Sequence, residues 1–203
     1  MTATNIVDPS LKLAGQFFAT GTQHASVAMR QWTHGQVKMT LDEVMEVPLE
    51  EAAGLLDGEM DLLTMVVVGV EGAEGSQLIL TFNEEHGRKL ASALTGRQPG
   101  TTPEWSPLEQ SAVMETGNIL GSAYLNELTR LTNRELKPSA PYFVQDFGAS
   151  VLQQALMMQA LTSDHVSICQ TRFEFNDQKV NWNVFFVPSQ ELVDAIGRVA
   201  GEV

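Results

Sequence analysis

At 203 residues, 43% of them hydrophobic and with a mean hydropathy of -0.05, the chain can bury a sizeable core as one domain or two joined halves. Twelve Lys and Arg against twenty-five Asp and Glu leave a net charge of -13 and a pI near 4.6, which argues against nucleic acid and against an anionic membrane surface as partners. The longest apolar runs, such as Met65 to Val68, are far too short to cross a bilayer, and the first residues carry neither a basic region nor an apolar signal core, so a cytoplasmic location is expected.

A first helix is expected from about Asp8 to Gln31, followed by a strand from Gln36 to Val47 in which Val37, Met39 and Leu41 alternate. Pro48 to Glu51 opens a short helix ending near Gly58. Two strands, Leu62 to Val70 and Gln77 to Phe82, are joined by the turn-rich Glu71-Gly72-Ala73-Glu74-Gly75. Asn83, followed by Glu84 and Glu85, caps a helix running to Leu94.

After a linker at about 96–103 the same order returns. A long helix runs from about Pro107 to Leu131, and a strand from Tyr142 to Phe147. A short helix is expected from Ser150 to Leu161, then a hairpin of His165 to Phe175 and Lys179 to Val187 turning at Asn176-Asp177. Ser189 caps a last helix reaching Val199. The pattern is α-β-α-β-β-α twice, offset by about 102 residues. The expected fold class is therefore α+β: a single domain over 1–203 built from two repeats, about 8–95 and 104–200, related by a pseudo-twofold. The two units should share one antiparallel sheet with the two long helices on a face.

The second long helix carries the most informative residues. Ser111, Glu115 and Asn118 occupy i, i+4 and i+7, within a sector of about 60° at helical spacing. The polar strip continues through Ser122, Asn126 and Thr129, amid apolar or small neighbours. A solvated face would ordinarily carry Lys, Arg and Glu pairs. This one has a single charge, with Gly117 and Gly121 beside it, and glycine in a helix interior costs up to about 1 kcal/mol against alanine. The glycines therefore predict close approach of another backbone. The strip can grip and orient something small.

Elsewhere the chemistry is thin. His24, His34, His86 and His165 are scattered and no carboxylates pair at ligand spacing, so no metal site is expected. Cys169, the single cysteine, excludes an internal disulfide and reads as a small core residue. Asp146-Phe147-Gly148 reads as a strand end and turn, without the other kinase motifs. Trp32, Trp105, Trp182, Met157 and Met158 read as core or interface residues.

The spacing of Ser111, Glu115, Asn118 and Pro141, the last separated from Asn118 by 22 residues, resembles the signature of the CheC/CheX/FliY family of chemotaxis phosphatases. The stretch Glu115 to Asn126, the internal repeat and Val47-Pro48-Leu49-Glu50 are similar to the two-copy CheC type, so the resemblance covers nearly the whole chain. It implies hydrolysis of the aspartyl-phosphate of a CheY-like response regulator. On that reading Asn118 orients the attacking water, Glu115 pairs with the regulator's lysine, and Ser111 and Pro141 support them. The chain has no cofactor of its own, and Mg²⁺ comes with the regulator. Phosphoryl transfer through a loose transition state needs mostly positioning, which suits such sparse equipment.

The first repeat departs from the signature. The offset places Pro9, Leu13 and Gln16 where Ser111, Glu115 and Asn118 stand, and Met39 where Pro141 stands. Leu13 cannot pair with a lysine, so one active centre is expected, with Leu13 and Gln16 marking a degenerate first site. Partners implied by the resemblance are a phosphorylated CheY-like regulator and a CheD-like deamidase. A monomer is expected, since both repeats lie in one chain. The alternative is a non-catalytic adaptor for a CheD-like deamidase or the flagellar switch.

Overall fold

The computed structural model describes residues 9–52, 62–98, 104–147, 150, 153, 157, 165–176 and 178–201. Its first half holds α1 (Pro9–Trp32), β1 (Val37–Pro48), α2 (Leu49–Ala52), β2 (Leu62–Glu71), β3 (Gln77–Phe82) and α3 (Glu84–Thr95). The second half holds α4 (Pro107–Thr132), β4 (Lys137–Pro138), β5 (Tyr142–Phe147), β6 (His165–Phe175), β7 (Gln178–Val187) and α5 (Gln190–Gly201). The two-residue β4 was not anticipated from the sequence. Most of the helix expected at 150–161, the end of the one expected after Pro48, and 99–103 of the linker lie outside the described residues.

The element boundaries follow local chemistry. The Asn83 side chain accepts from the backbone N–H of His86 at 2.9 Å and caps α3, which ends on Gly96 at φ 66°, where a residue without Cβ is unstrained. Asn176 turns the β6–β7 hairpin at φ 51° and donates its N–H to the Gln36 carbonyl at 2.8 Å. At the start of α5 the Ser189 carbonyl accepts from both Leu192 and Val193, and the Ser189 hydroxyl is bonded to that of Ser76 at 3.1 Å.

The described strands form one antiparallel sheet in the order β1-β6-β7-β3-β2, with β4 and β5 both pairing along the far edge of β2. The expected hairpins β2–β3 and β6–β7 form, and the remaining pairings join the halves: β1 of the first half lies on β6, β5 of the second on β2, and β3 on β7. β2 is buried on both faces, which is why it reads as an almost continuous apolar run. Val66, Val68 and Val70 point into a core shared with Phe18, Ala25 and Met29 of α1, Leu90 of α3, Val113, Leu120, Tyr124 and Leu128 of α4, and Leu192 and Ile196 of α5. The alternate residues Leu63, Met65 and Val67 join Ile79, Ile168, Phe185, Val187 and Ala52 in a second cluster.

Trp105 and Trp182 are core residues, whereas Trp32 and Met157 are exposed at the surface. Cys169 lies on β6 in register with Val44 and Phe186, and its side chain is outside the described residues.

A buried polar chain joins α1, α4 and the sheet. Tyr124 OH bonds to Thr22 Oγ1 at 2.8 Å and to Thr171 Oγ1 at 2.9 Å, and all three residues are buried. Gly21 lets the ring in: a methyl group there would lie 2.9 Å from Tyr124 Cδ1. Tyr124→Phe strips the shared partner from two buried hydroxyls and is expected to cost about 1–2 kcal/mol. The melting temperature should fall by several degrees, at about 2–4 °C per kcal/mol for a chain of this size. Unchanged melting in the Phe variant would show that the hydroxyl chain contributes nothing.

Candidate functional site

The polar strip belongs to α4, and its first turn is fixed by a capping box. Ser106 Oγ accepts from the Glu109 N–H at 3.3 Å, Glu109 Oε2 accepts from the Ser106 N–H at 2.9 Å, and Pro107 stands at the first helical position. The same Glu109 is held by Arg88 of α3, whose Nη1 lies 3.3 Å from Oε1. Arg88 also binds Glu84 at 3.0 Å and lies 4.9 Å from the centroid of the Trp105 ring. The guanidinium is nearly buried, paired and stacked, so it ties α3 to the start of α4. Sequence reasoning passed over Arg88, whose only local signal is the i, i+4 spacing from Glu84.

Further along, glycines set the height of α4 above the sheet. A methyl group at Gly117 would lie 2.6 Å from Val66 Cγ1 and 3.2 Å from Val68 Cγ2, and one at Gly121 would lie 3.2 Å from Pro138 Cβ. The close approach expected from these glycines is present, but it is made by side chains of β2 and β4 rather than by another backbone.

With Gly117 seated on β2, the strip turns outward. Ser111, Glu115, Ser122 and Asn126 are exposed and Asn118 is half-buried. Asn118 Nδ2 donates to Glu115 Oε2 at 3.1 Å, so the two central residues of the strip are in direct contact. Thr129, at the far end, is instead occupied with structure. Its hydroxyl accepts from the Leu136 N–H at 3.1 Å and holds the chain as it leaves α4.

Pro141 immediately precedes β5 and is half-buried. Tyr142 pairs with Val67, and Ser139 donates its N–H to the Gly69 carbonyl at 2.9 Å, so Pro141 stands level with Val68, one of the side chains under Gly117 and Gly121. Beyond it Tyr142 is about half exposed, and partial burial raises its phenol above the ordinary tyrosine value, keeping it a donor at neutral pH. Leu108, Leu62 and Phe147 are further exposed apolar side chains, the last two opposite each other in register.

On α1, Gln16 is exposed, while the side chains of Pro9 and Leu13 lie outside the described residues. Met39 is buried in β1, and its N–H donates to Ser26 Oγ at 3.1 Å. Among the described residues no three His, Cys, Asp or Glu side chains are grouped to hold a metal ion. No described helix is long and apolar enough to cross a membrane.

The geometry is thus a carboxylate and a carboxamide one turn apart, bonded to each other and presented on a helix seated against the sheet. No family model matches the chain. It is 21% identical over 175 residues to the CheY-P phosphatase CheC of Bacillus subtilis (strain 168), covering 84% of each chain. FliY of Thermotoga maritima superposes with a TM-score of 0.73 at 16% identity, over 98% of this chain and 99% of that one. CheX of Borrelia burgdorferi, solved in a CheX-CheY-BeF3-Mg complex, gives a TM-score of 0.58 at 16% identity, over 86% of this chain and 98% of the other.

In sequence the chain is similar to CheC, and in fold to FliY and CheX. The fold shared with FliY spans nearly the whole chain, which makes the outward flank of α4 the surface to interpret.

Proposed function

We propose that this CheC-like chain hydrolyses the aspartyl-phosphate of a CheY-like response regulator in chemotaxis signalling. The observation that carries the reading is the Glu115–Asn118 pair, 3.1 Å apart on the exposed flank of α4. CheC of B. subtilis bears the name of a CheY-P phosphatase, and CheX has been solved with CheY, so both relatives point to the same class of partner.

In the proposed reaction α4 enters the regulator's active site. The Glu115 carboxylate pairs with the regulator's lysine. Asn118 holds a water in line with the phosphorus, the new P–O bond forms, and the bond to the aspartate carboxylate breaks to release inorganic phosphate. Asn118 is suited to this beside an anionic phosphoryl group, since a carboxamide both donates and accepts without adding negative charge. Glu115 alone is no metal site, and the Mg²⁺ of the reaction is taken to arrive bound to the regulator. Ser111, one turn before Glu115, and Pro141, level with the seat of α4, flank the pair.

The same reading takes the chain as one domain of two repeats sharing the sheet. Two features support it. The strand order β1-β6-β7-β3-β2-β5 maps onto itself when the halves are exchanged. Thr22 and Tyr124, 102 residues apart and hence equivalent in the two repeats, touch at 2.8 Å. A monomer acting in the cytoplasm follows, and a stable dimer in sedimentation at micromolar concentration would contradict it. A CheD-like deamidase is a further proposed partner.

The deciding experiment is decay of a phosphorylated CheY-like regulator with and without this protein. Faster decay supports the enzyme, and docking with unchanged decay would favour the adaptor. Gln16→Ala is expected to leave the rate nearly unchanged, because the first repeat offers Leu13 where a lysine partner would need a carboxylate. Loss of turnover in that variant would make α1 catalytic and end the single-centre reading.

A further inference from the structure

The contact between Glu115 and Asn118 bears on which end of the carboxamide meets the partner. A carboxylate only accepts hydrogen bonds, so the atom that faces Glu115 Oε2 at 3.1 Å has to be Asn118 Nδ2. The carbonyl Oδ1 is then turned the other way. Without Glu115, the terminal torsion of an asparagine is broad and roughly two-fold, and either end could point outward.

We propose that Glu115 is a positioning residue for Asn118, fixing the carboxamide so that Oδ1 rather than Nδ2 meets the attacking water. This rests on the phosphatase reading above. The end matters because a water must offer a lone pair to phosphorus. A water that donates a hydrogen to Oδ1 keeps its lone pairs for attack. A water that accepts from Nδ2 spends one and turns its hydrogens toward the phosphoryl group. Glu115 performs this role with Oε2, which leaves Oε1 for the regulator's lysine, so one carboxylate docks the partner and sets the amide at the same time.

The two roles separate under substitution. Glu115→Ala removes both. Glu115→Gln loses the charge that a lysine needs, and its amide can face Asn118 with a carbonyl oxygen or with an N–H, so it holds the carboxamide in either sense. At saturating phosphorylated regulator, KM should rise in both variants. kcat should fall about tenfold in Glu115→Ala, as expected for loss of one orienting hydrogen bond to a charged group, and fall less in Glu115→Gln, where the carbonyl end still holds Asn118 correctly in part of the molecules. Equal kcat in the two variants, whether both high or both low, overturns the proposal.

A measurement on the free protein needs no turnover. The Nδ2 protons of Asn118 should be displaced from free-amide NMR shifts in the native chain, and move to the values of a free amide in Glu115→Ala. Identical Asn118 amide signals in native protein and Glu115→Ala would overturn the positioning role. If native protein fails to speed regulator decay, the phosphatase reading falls while these signals still decide whether Glu115 holds the amide.

Discussion

Asn118→Ala is expected to lower turnover of a phosphorylated CheY-like regulator by about 10²-fold or more, because a water no longer held in line loses most of the advantage of a positioned reaction. Docking should be largely kept, since Glu115, the proposed partner of the regulator's lysine, remains exposed on the same turn and the seat of α4 on Val66 is untouched. The comparison is decay at saturating variant against decay at saturating native protein, with affinity measured separately using a phosphate-mimicked regulator. Native turnover by the Ala variant would remove Asn118 from the mechanism. Loss of affinity equal to the loss of rate would make it a docking residue instead.

Gly117→Val is expected to be the most damaging single change to the scaffold of the site. Even its Cβ would fall 2.6 Å from Val66 Cγ1, inside any real contact distance, and both neighbours are fully buried core valines. Two further methyl groups leave α4 only one way to move, outward from β2. Overpacking of this kind costs about 1–3 kcal/mol. It should appear as a lowered urea midpoint and, because Asn118 is the next residue, as a loss of turnover larger than the loss of folded protein explains. Gly117→Val with native stability and native rate would show that α4 is not held at that height.

The legible part of this architecture is the part written in local chemistry. Asn83 with its acidic followers, the apolar run of β2, the Asn176 turn and the start of α4 at Pro107 each specify their element through neighbours a few residues away. The strip was legible for the same reason, since Ser111, Glu115 and Asn118 need only helical periodicity to share a flank.

What could not be read depends on distant partners. Nothing local says that β1 will pair with β6 or β5 with β2. Tyr124 reads as one more apolar residue of α4 until Thr22 and Thr171 are brought to its hydroxyl. β4 consists of Lys137 and Pro138, and a two-residue strand has no period to detect. Arg88 reads as a surface helix residue until Glu109 and Trp105 enclose it.

The seating of α4 on Val66, Val68 and Pro138 also has a bearing on how partners could diverge. A group carried by a mobile loop must be frozen at each encounter, and that entropy weakens every complex it makes. Here the backbone of Asn118 is immobilised once, when the chain folds. On the proposed reading, recognition can then drift at outlying exposed positions such as Leu108, Tyr142 and Phe147 while Asn118 keeps its place, so a change of clientele need not disturb the proposed reaction.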